Sequence, residues 1–298
     1  MISIARTNIS LKLQDKLLAY TELIKLRLTM LVAFSCGFGF VLASNGAVNW
    51  ANLLAVCFGG FLISGGSIII NQIFERDTDK LMSRTMNRPL PTYRVTVNEA
   101  IALSLILSTT GLLILLIVSN VLTVVLSIAS LILYAFVYTP LKRVGPVAVF
   151  VGAIPGALPP LLGWTAATGA ISHEALIIFG IQFIWQFPHF WAIAWLAYDD
   201  YKKAGIKLLP SGGEKDINTA IQIMIYTLFL IPLGLLPAKF GVTGIDSAIL
   251  TTVCGVLFLS QTFLLMKDGS SKAAKRIMYS SFIYLPVVQI GFLLDRIQ

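Results

Sequence analysis

The chain has 298 residues, 57% of them hydrophobic and only 12% charged, with a formal net charge of +8 and a mean hydropathy of +0.84. A soluble domain carries about 25% charged residues, so the composition excludes an ordinary water-soluble globule and points to a polytopic membrane protein. In such a chain a positive balance first reports which membrane face holds the cations, and it gives little reason to invoke nucleic acid.

A bilayer core about 30 Å thick takes roughly 20 apolar residues per helix. Nine segments meet that length: residues 24–44, 51–73, 99–118, 120–138, 146–166, 175–197, 218–237, 245–266 and 276–294. Residues 1–23 precede the first span and read as a cytoplasmic tail. The first span is too long, and followed by too many others, to be a cleavable signal. No soluble stretch is long enough to fold alone, so residues 1–298 form a single all-α integral membrane domain. The third and fourth spans are split only by Ser119 and Asn120, which predicts a tight turn. The fifth contains Gly152, Pro155, Gly156, Pro159, Pro160 and Gly163, which predicts a bent or broken helix whose freed backbone groups are met by neighbours or a cavity. Cys36, Cys57 and Cys254 lie inside apolar stretches without metal-ligand spacing and read as small core residues.

The cations fall overwhelmingly on one side. The tail and the start of the first span hold Arg6, Lys12, Lys16, Lys25 and Arg27. The second-to-third loop holds Arg76, Lys80, Arg84, Arg88 and Arg94. Lys142 and Arg143 follow the fourth span, and Lys202, Lys203, Lys207 and Lys215 follow the sixth. Lys267, Lys272, Lys275 and Arg276 follow the eighth. Of the 22 Lys and Arg residues, only Lys239 and Arg296 lie on the other side. The positive-inside rule then puts the N-terminus in the cytoplasm and the C-terminus outside.

The stretch after the second span, "NQIFERDTDKLMSRTMNRP", concentrates charge of both signs. Asn71, Glu75 and Asp79 recur every fourth residue, which on a helix lines them along one face. Asp77 points away from that face if the helix continues. Two carboxylates and an amide are hard oxygen ligands of the kind Mg²⁺ uses together with substrate phosphates, and Arg84 and Arg88 suit phosphate oxygens. The same charges also read as a solvated loop whose arginines serve topology and whose acids make stray salt bridges.

This stretch resembles the first acidic motif of the UbiA-type intramembrane prenyltransferases, Asn-x3-Asp-x3-Asp followed by Arg-Thr-x2-Arg-Pro. "KLRLTMLVAFS" (25–35), "GALPPLLGWTAATG" (156–169) and "FIWQFPHFWAIAWLAYDDYKKAGIKLLP" (183–210) narrow the resemblance to the heme O synthases, or protoheme IX farnesyltransferases, over roughly residues 20–295. Two departures stand out. Glu75 occupies the place of the first Asp. The second Asp-x3-Asp motif is not intact, because Ala204 follows Asp200 by four; an acid–Tyr pair, Asp200 with Tyr201, stands there instead.

The resemblance implies a nine-helix UbiA-type bundle in a bacterial inner membrane, with a central active-site cavity open to the cytoplasm. It implies farnesyl transfer from farnesyl diphosphate to a vinyl group of heme B, with addition of water, giving heme O and diphosphate. Mg²⁺, replaceable by Mn²⁺, would be the metal, and heme B a substrate rather than a prosthetic group. Asn71, Glu75, Asp79 and Asp200 become the expected metal-binding and catalytic set, with Asp77 and Asp199 as further ligand candidates. Arg84, Arg88, Lys142, Arg143 and Lys203 become diphosphate cations. His189, an ionisable group deep in a span, becomes a heme contact. Phe183, Trp185, Phe187, Phe190, Trp191 and Trp195 would line the substrate pocket and shield the farnesyl cation, although a packing or lipid-facing role explains any single one better. A heme A synthase or a terminal oxidase assembly would take the product. Three other readings compete: a UbiA-type enzyme with an aromatic or quinone-precursor acceptor, a membrane transporter, and a structural membrane subunit. Against a transporter, the acids occur only at span ends or in loops.

Overall fold

A computed structural model describes residues 14–44 and 46–297. The elements are α1 (residues 14–24), α2 (Leu26–Ala43), α3 (Trp50–Asp79), α4 (Val97–Val118) and α5 (Val121–Ile132), followed by a π-helical turn (Leu133–Tyr138) that runs into the short α6 (Thr139–Leu141). After these come α7 (Val147–Thr168), α8 (His173–Leu196), the short α9 (Tyr198–Lys203), α10 (Ile217–Lys239), α11 (Ile245–Asp268) and α12 (Ser271–Leu294). Nine helices among the described residues are long and apolar enough to cross a membrane, counting α5, the π turn and α6 as one span.

The helix starts follow from local chemistry. Side chains of Asn49, Thr96, Asn120, Ser172, Asp216 and Ser270 each accept a backbone N–H in the first turn, satisfying donors that a helix leaves open. Thr96 and Glu99 complete a reciprocal capping box. Asn120 also donates to the Thr165 carbonyl at 2.7 Å, which ties the predicted tight turn to α7.

The structure sharpens two expectations. The segment read as a tail is in part a docked helix: Ala19 and Leu23 of α1 are buried against Ile69, Leu90, Val95 and Ala100. The fifth span is not broken: α7 is continuous despite Pro155, Pro159 and Pro160. The ring of Pro160 removes the N–H that would bond the Gly156 carbonyl. Gln182 of α8 donates to that carbonyl instead, at 2.8 Å. A neighbouring side chain thus meets one of the freed backbone groups, as expected.

The most enclosed span is α7, and α4 and the α5–α6 span are the least enclosed. α2 packs on α3 and α7, α8 on α7, α10 and α12, and α12 returns to α2, closing the bundle. Glycines set the closest approach, as expected where lipid removes the usual hydrophobic drive between helices. A Cβ on Gly39 would come within 1.9 Å of the Pro160 carbonyl oxygen, and one on Gly163 within 1.8 Å of that of Cys36.

The two ends of the bundle differ in charge. At one end Lys16 pairs with Glu99 at 2.8 Å and Arg94 pairs with Glu22, near the loop that follows α3. At the other, Arg296 donates to the Val41 carbonyl, and the Gly244 N–H donates to the Asp295 carbonyl at 2.8 Å. Lys16 and Arg94, two of the cations counted on one side in the sequence, thus meet at one end of the bundle, and Arg296, counted on the other side, lies at the opposite end. Arg6 and Lys12 lie outside the described residues.

Candidate functional site

Because α3 continues past residue 73 to Asp79, Asn71, Glu75 and Asp79 lie on consecutive turns of one helix face at the cation-rich end. Asn71 and Asp79 are buried. Each carboxylate faces a cation. Lys142 donates to Glu75 Oε1 at 2.7 Å. A single nitrogen of Arg88, Nη1, reaches both oxygens of Asp79 at 2.8 and 2.7 Å. The turn carrying Arg88 is held by Thr85, whose hydroxyl donates to the Asp79 carbonyl at 3.0 Å. Burial alone would lower the Lys142 ammonium, but the neighbouring Tyr138 and Glu75 more than offset it, so its proton is held above the usual lysine range. The ammonium also sits 4.5 Å from the Tyr138 ring centroid. Beside this pair lies a cavity of 150 Å³ lined by Phe74, Glu75, Thr139, Lys142, Arg143 and Ile206.

The other predicted site residues are placed differently. Asp77 is on the outer face, paired with Arg76 and Lys80. Asp199 is exposed. Asp200 accepts from the Ser83 hydroxyl at 2.7 Å and the Arg84 N–H at 3.3 Å, with Lys203 at 3.6 Å. The Ser83 hydrogen bond, helped by the Arg84 N–H, holds its carboxyl below the usual aspartate range. Among the described residues no three His, Cys, Asp or Glu side chains stand together as a metal cluster. Among the described residues Asp199 and Asp200 do not stand in such a cluster with Glu75 and Asp79, and Asp200 is engaged by the loop after α3. The donor set is two carboxylates and one amide, which still fits an ion that completes its shell with water and phosphate oxygens. Tyr201 is half-buried, and Arg84, Arg143 and Lys203 are exposed.

His189 faces α12. Its Nδ1 is 2.8 Å from the Ser281 hydroxyl, and that hydroxyl lies 2.6 Å from the Met278 carbonyl. A hydroxyl has one proton and a carbonyl can only accept, so Ser281 donates to Met278 and the imidazole donates from Nδ1. Nε2 is left with its lone pair. Trp185 stacks on the imidazole at 4.6 Å and donates its indole N–H to the Ser281 carbonyl. Of the other aromatics of α8, Phe187, Trp191 and Trp195 are buried, and Phe183 and Phe190 are half-buried. Phe183 meets Phe150, and Phe187 and Trp191 meet Tyr226, so packing accounts for them.

In the sequence Lys25 reads as a topological cation that opens the stretch "KLRLTMLVAFS", with no site role of its own. It sits at the break between α1 and α2 with φ 53 and ψ 61, a left-handed conformation uncommon for a side-chain-bearing residue and often found at functional sites. Burial pushes its ammonium down to about 7, reinforced by Arg88, Lys142 and Arg84 and opposed by Glu75. It therefore belongs to the same charge cluster. A helix break carries no sequence signal in "LIKLRL", so only the fold could reveal it.

Residues 32–285 match the model of the UbiA prenyltransferase family. A protoheme IX farnesyltransferase of Cytophaga hutchinsonii is 53% identical over 94% of this chain and 98% of its own. The mitochondrial protoheme IX farnesyltransferase of Arabidopsis thaliana is 37% identical over 93% of this chain and 65% of its own. Among solved structures, a digeranylgeranylglyceryl phosphate synthase superposes with a TM-score of 0.78 at 22% identity, covering 94% of this chain and 98% of that one. A UbiA homologue from Archaeoglobus fulgidus, solved bound to GPP and Mg²⁺, superposes with a TM-score of 0.63 at 18% identity, covering 92% and 99%. With nine membrane-length helices and a family match over most of its length, the chain belongs to the UbiA prenyltransferase family.

Proposed function

We propose that the protein transfers a farnesyl group from farnesyl diphosphate to a vinyl group of heme B, giving heme O. The observation that carries this is the buried face of Asn71, Glu75 and Asp79 with Arg88 and Lys142 upon it, in a chain 53% identical to a relative named for that activity. Mg²⁺, or Mn²⁺ in its place, would be held by Asn71, Glu75 and Asp79 and would neutralise the departing diphosphate.

The chain's own residues supply the rest. Arg88 and Lys142 exchange a carboxylate oxygen for a phosphate oxygen when substrate and metal arrive together, so no buried charge is left unpaired. Lys25, Arg84, Arg143 and Lys203 add positive charge around the leaving group. The C–O bond of farnesyl diphosphate breaks and its electron pair leaves with diphosphate. The vinyl π electrons form the new C–C bond, and the resulting cation is captured by water, which gives up a proton. The apolar interior keeps water from the allylic cation until then. Asp200, which accepts from the Ser83 hydroxyl and the Arg84 N–H, is the further metal ligand, with Asp199 beside it in the chain. His189, fixed with Nε2 bare, contacts the heme, and Trp185 backs its ring. The cation-rich end faces the cytoplasm of a bacterial cell, the C-terminus lies outside, and a heme A synthase or oxidase assembly receives the product.

Purified protein incubated with heme B, farnesyl diphosphate and Mg²⁺ is expected to give heme O by mass spectrometry, and none in excess chelator. Glu75→Gln is expected to abolish product while the variant elutes as a folded protein. Full activity of that variant refutes the metal-site assignment. Prenylation of an aromatic quinone precursor with no heme O formed favours the other acceptor class.

A further inference from the structure

The fourth span does not run as a plain α-helix to its end. Over Leu133–Tyr138 it widens into a π turn, which inserts one extra residue and rotates the residues beyond it by about 100°, one residue's share of a helical turn. The residue delivered by that rotation is Thr139, which is buried against α3.

The Thr139 hydroxyl has two neighbours. It lies 2.9 Å from the Tyr134 carbonyl and 2.9 Å from Nδ2 of Asn71. The carbonyl can only accept, and the hydroxyl has a single proton. Thr139 therefore donates to Tyr134 and has only lone pairs to offer Asn71. That decides which end of the buried Asn71 amide is which: the NH₂ group faces Thr139, and Oδ1 is turned the other way. Among the described residues Oδ1 has no hydrogen-bond partner, and the bond to Thr139 is the only one the Asn71 side chain makes. Of the two ends of an amide, only the oxygen binds a cation.

We propose that Thr139 is a positioning residue, presented by the π turn, that holds the Asn71 amide with its oxygen toward the acidic face of α3. The proposal rests on the reading of Asn71 as part of a metal–diphosphate site. An asparagine free to flip would spend part of its time offering NH₂, a donor that repels a cation, so loss of Thr139 weakens metal binding without removing any ligand.

The test compares purified wild type, Thr139→Val, Thr139→Ser and Asn71→Ala. Mn²⁺ affinity is measured by electron paramagnetic resonance in the presence of inorganic diphosphate, and the Mg²⁺ dependence of turnover is measured separately. Thr139→Val keeps the shape and removes the acceptor. It is expected to weaken Mn²⁺ binding about tenfold, as loss of a residue supporting a ligand does, and to raise half-saturating Mg²⁺ more than it lowers kcat at saturating Mg²⁺. Thr139→Ser restores the hydroxyl and is expected to recover affinity to within about threefold of wild type. If Thr139→Val does not fold, Thr139→Ala against Thr139→Ser gives the same contrast. Unchanged Mn²⁺ affinity in the variant lacking the hydroxyl, with Asn71→Ala weakened, overturns the role of Thr139 alone. Unchanged affinity in Asn71→Ala overturns the underlying ligand reading.

Discussion

Asp79 is fully enclosed, and its two oxygens share one nitrogen of Arg88. Removing one partner of a buried ion pair leaves the other charge without solvent or counter-ion. Arg88→Ala is therefore expected to cost about 3–5 kcal/mol of stability, read as an earlier unfolding transition in detergent. Adding Asp79→Asn to that variant is expected to recover part of the loss and none of the activity. An unchanged transition in Arg88→Ala counts against the pairing. Glu75 and Lys142 keep slight solvent contact, 12% and 15% by side chain, which is why Glu75→Gln is the better probe of chemistry apart from folding. The motif spacing in the sequence identified both acids and both arginines but not their pairing. Which cation meets which carboxylate depends on where Lys142, from another span, arrives.

Single helices raise different questions. α2 and α7 meet backbone to side-chain-free backbone at Gly39 and Gly163. Gly39→Ala drives a methyl into the Pro160 carbonyl, and overpacking of this kind costs about 1–3 kcal/mol or more. Gly180→Ala, with nothing within 4 Å of the new methyl, is expected to be neutral or stabilising by up to about 1 kcal/mol. If the two variants unfold alike, close helix contact is not what Gly39 provides. The start of α10 rests on Asp216, which accepts the Thr219 N–H at 2.8 Å and the Ser211 hydroxyl. Burial alone would raise its carboxyl, but these hydrogen bonds more than offset that and hold it below the usual 3.8. The cap's contribution is therefore complete above that value and is lost as pH falls below it. Asp216→Ala is expected to cost about 1 kcal/mol at neutral pH, and the difference from wild type is expected to shrink on acidification. A gap that widens in acid contradicts this sign.

Over the whole molecule, the separation of charge predicts how the chain sits in a membrane. Single cysteines replacing Lys203 and Lys239 are expected to react with an impermeant thiol reagent from opposite sides of sealed vesicles; labelling from the same side would overturn the nine-span topology. The spans, the charge asymmetry and the one-face spacing of Asn71, Glu75 and Asp79 were legible in the sequence, because hydropathy, loop charge and helical periodicity are local properties of the chain. The docking of residues 14–24 was not, since a short amphipathic stretch shows its partner only once Ile69 and Ala100 are brought to it. Nor was the partner of the freed Gly156 carbonyl in α7, which is Gln182 from the next helix. The sequence alone determined that this is a polytopic helical protein with an acidic face at the cation-rich membrane boundary. Only the tertiary structure decided that Lys25, Lys142 and Thr139 join that face, while Asp200 is engaged by Ser83 and Arg84. Helical spacing orders residues along one helix, whereas the partners of a buried charge or amide come from whichever helices pack against it.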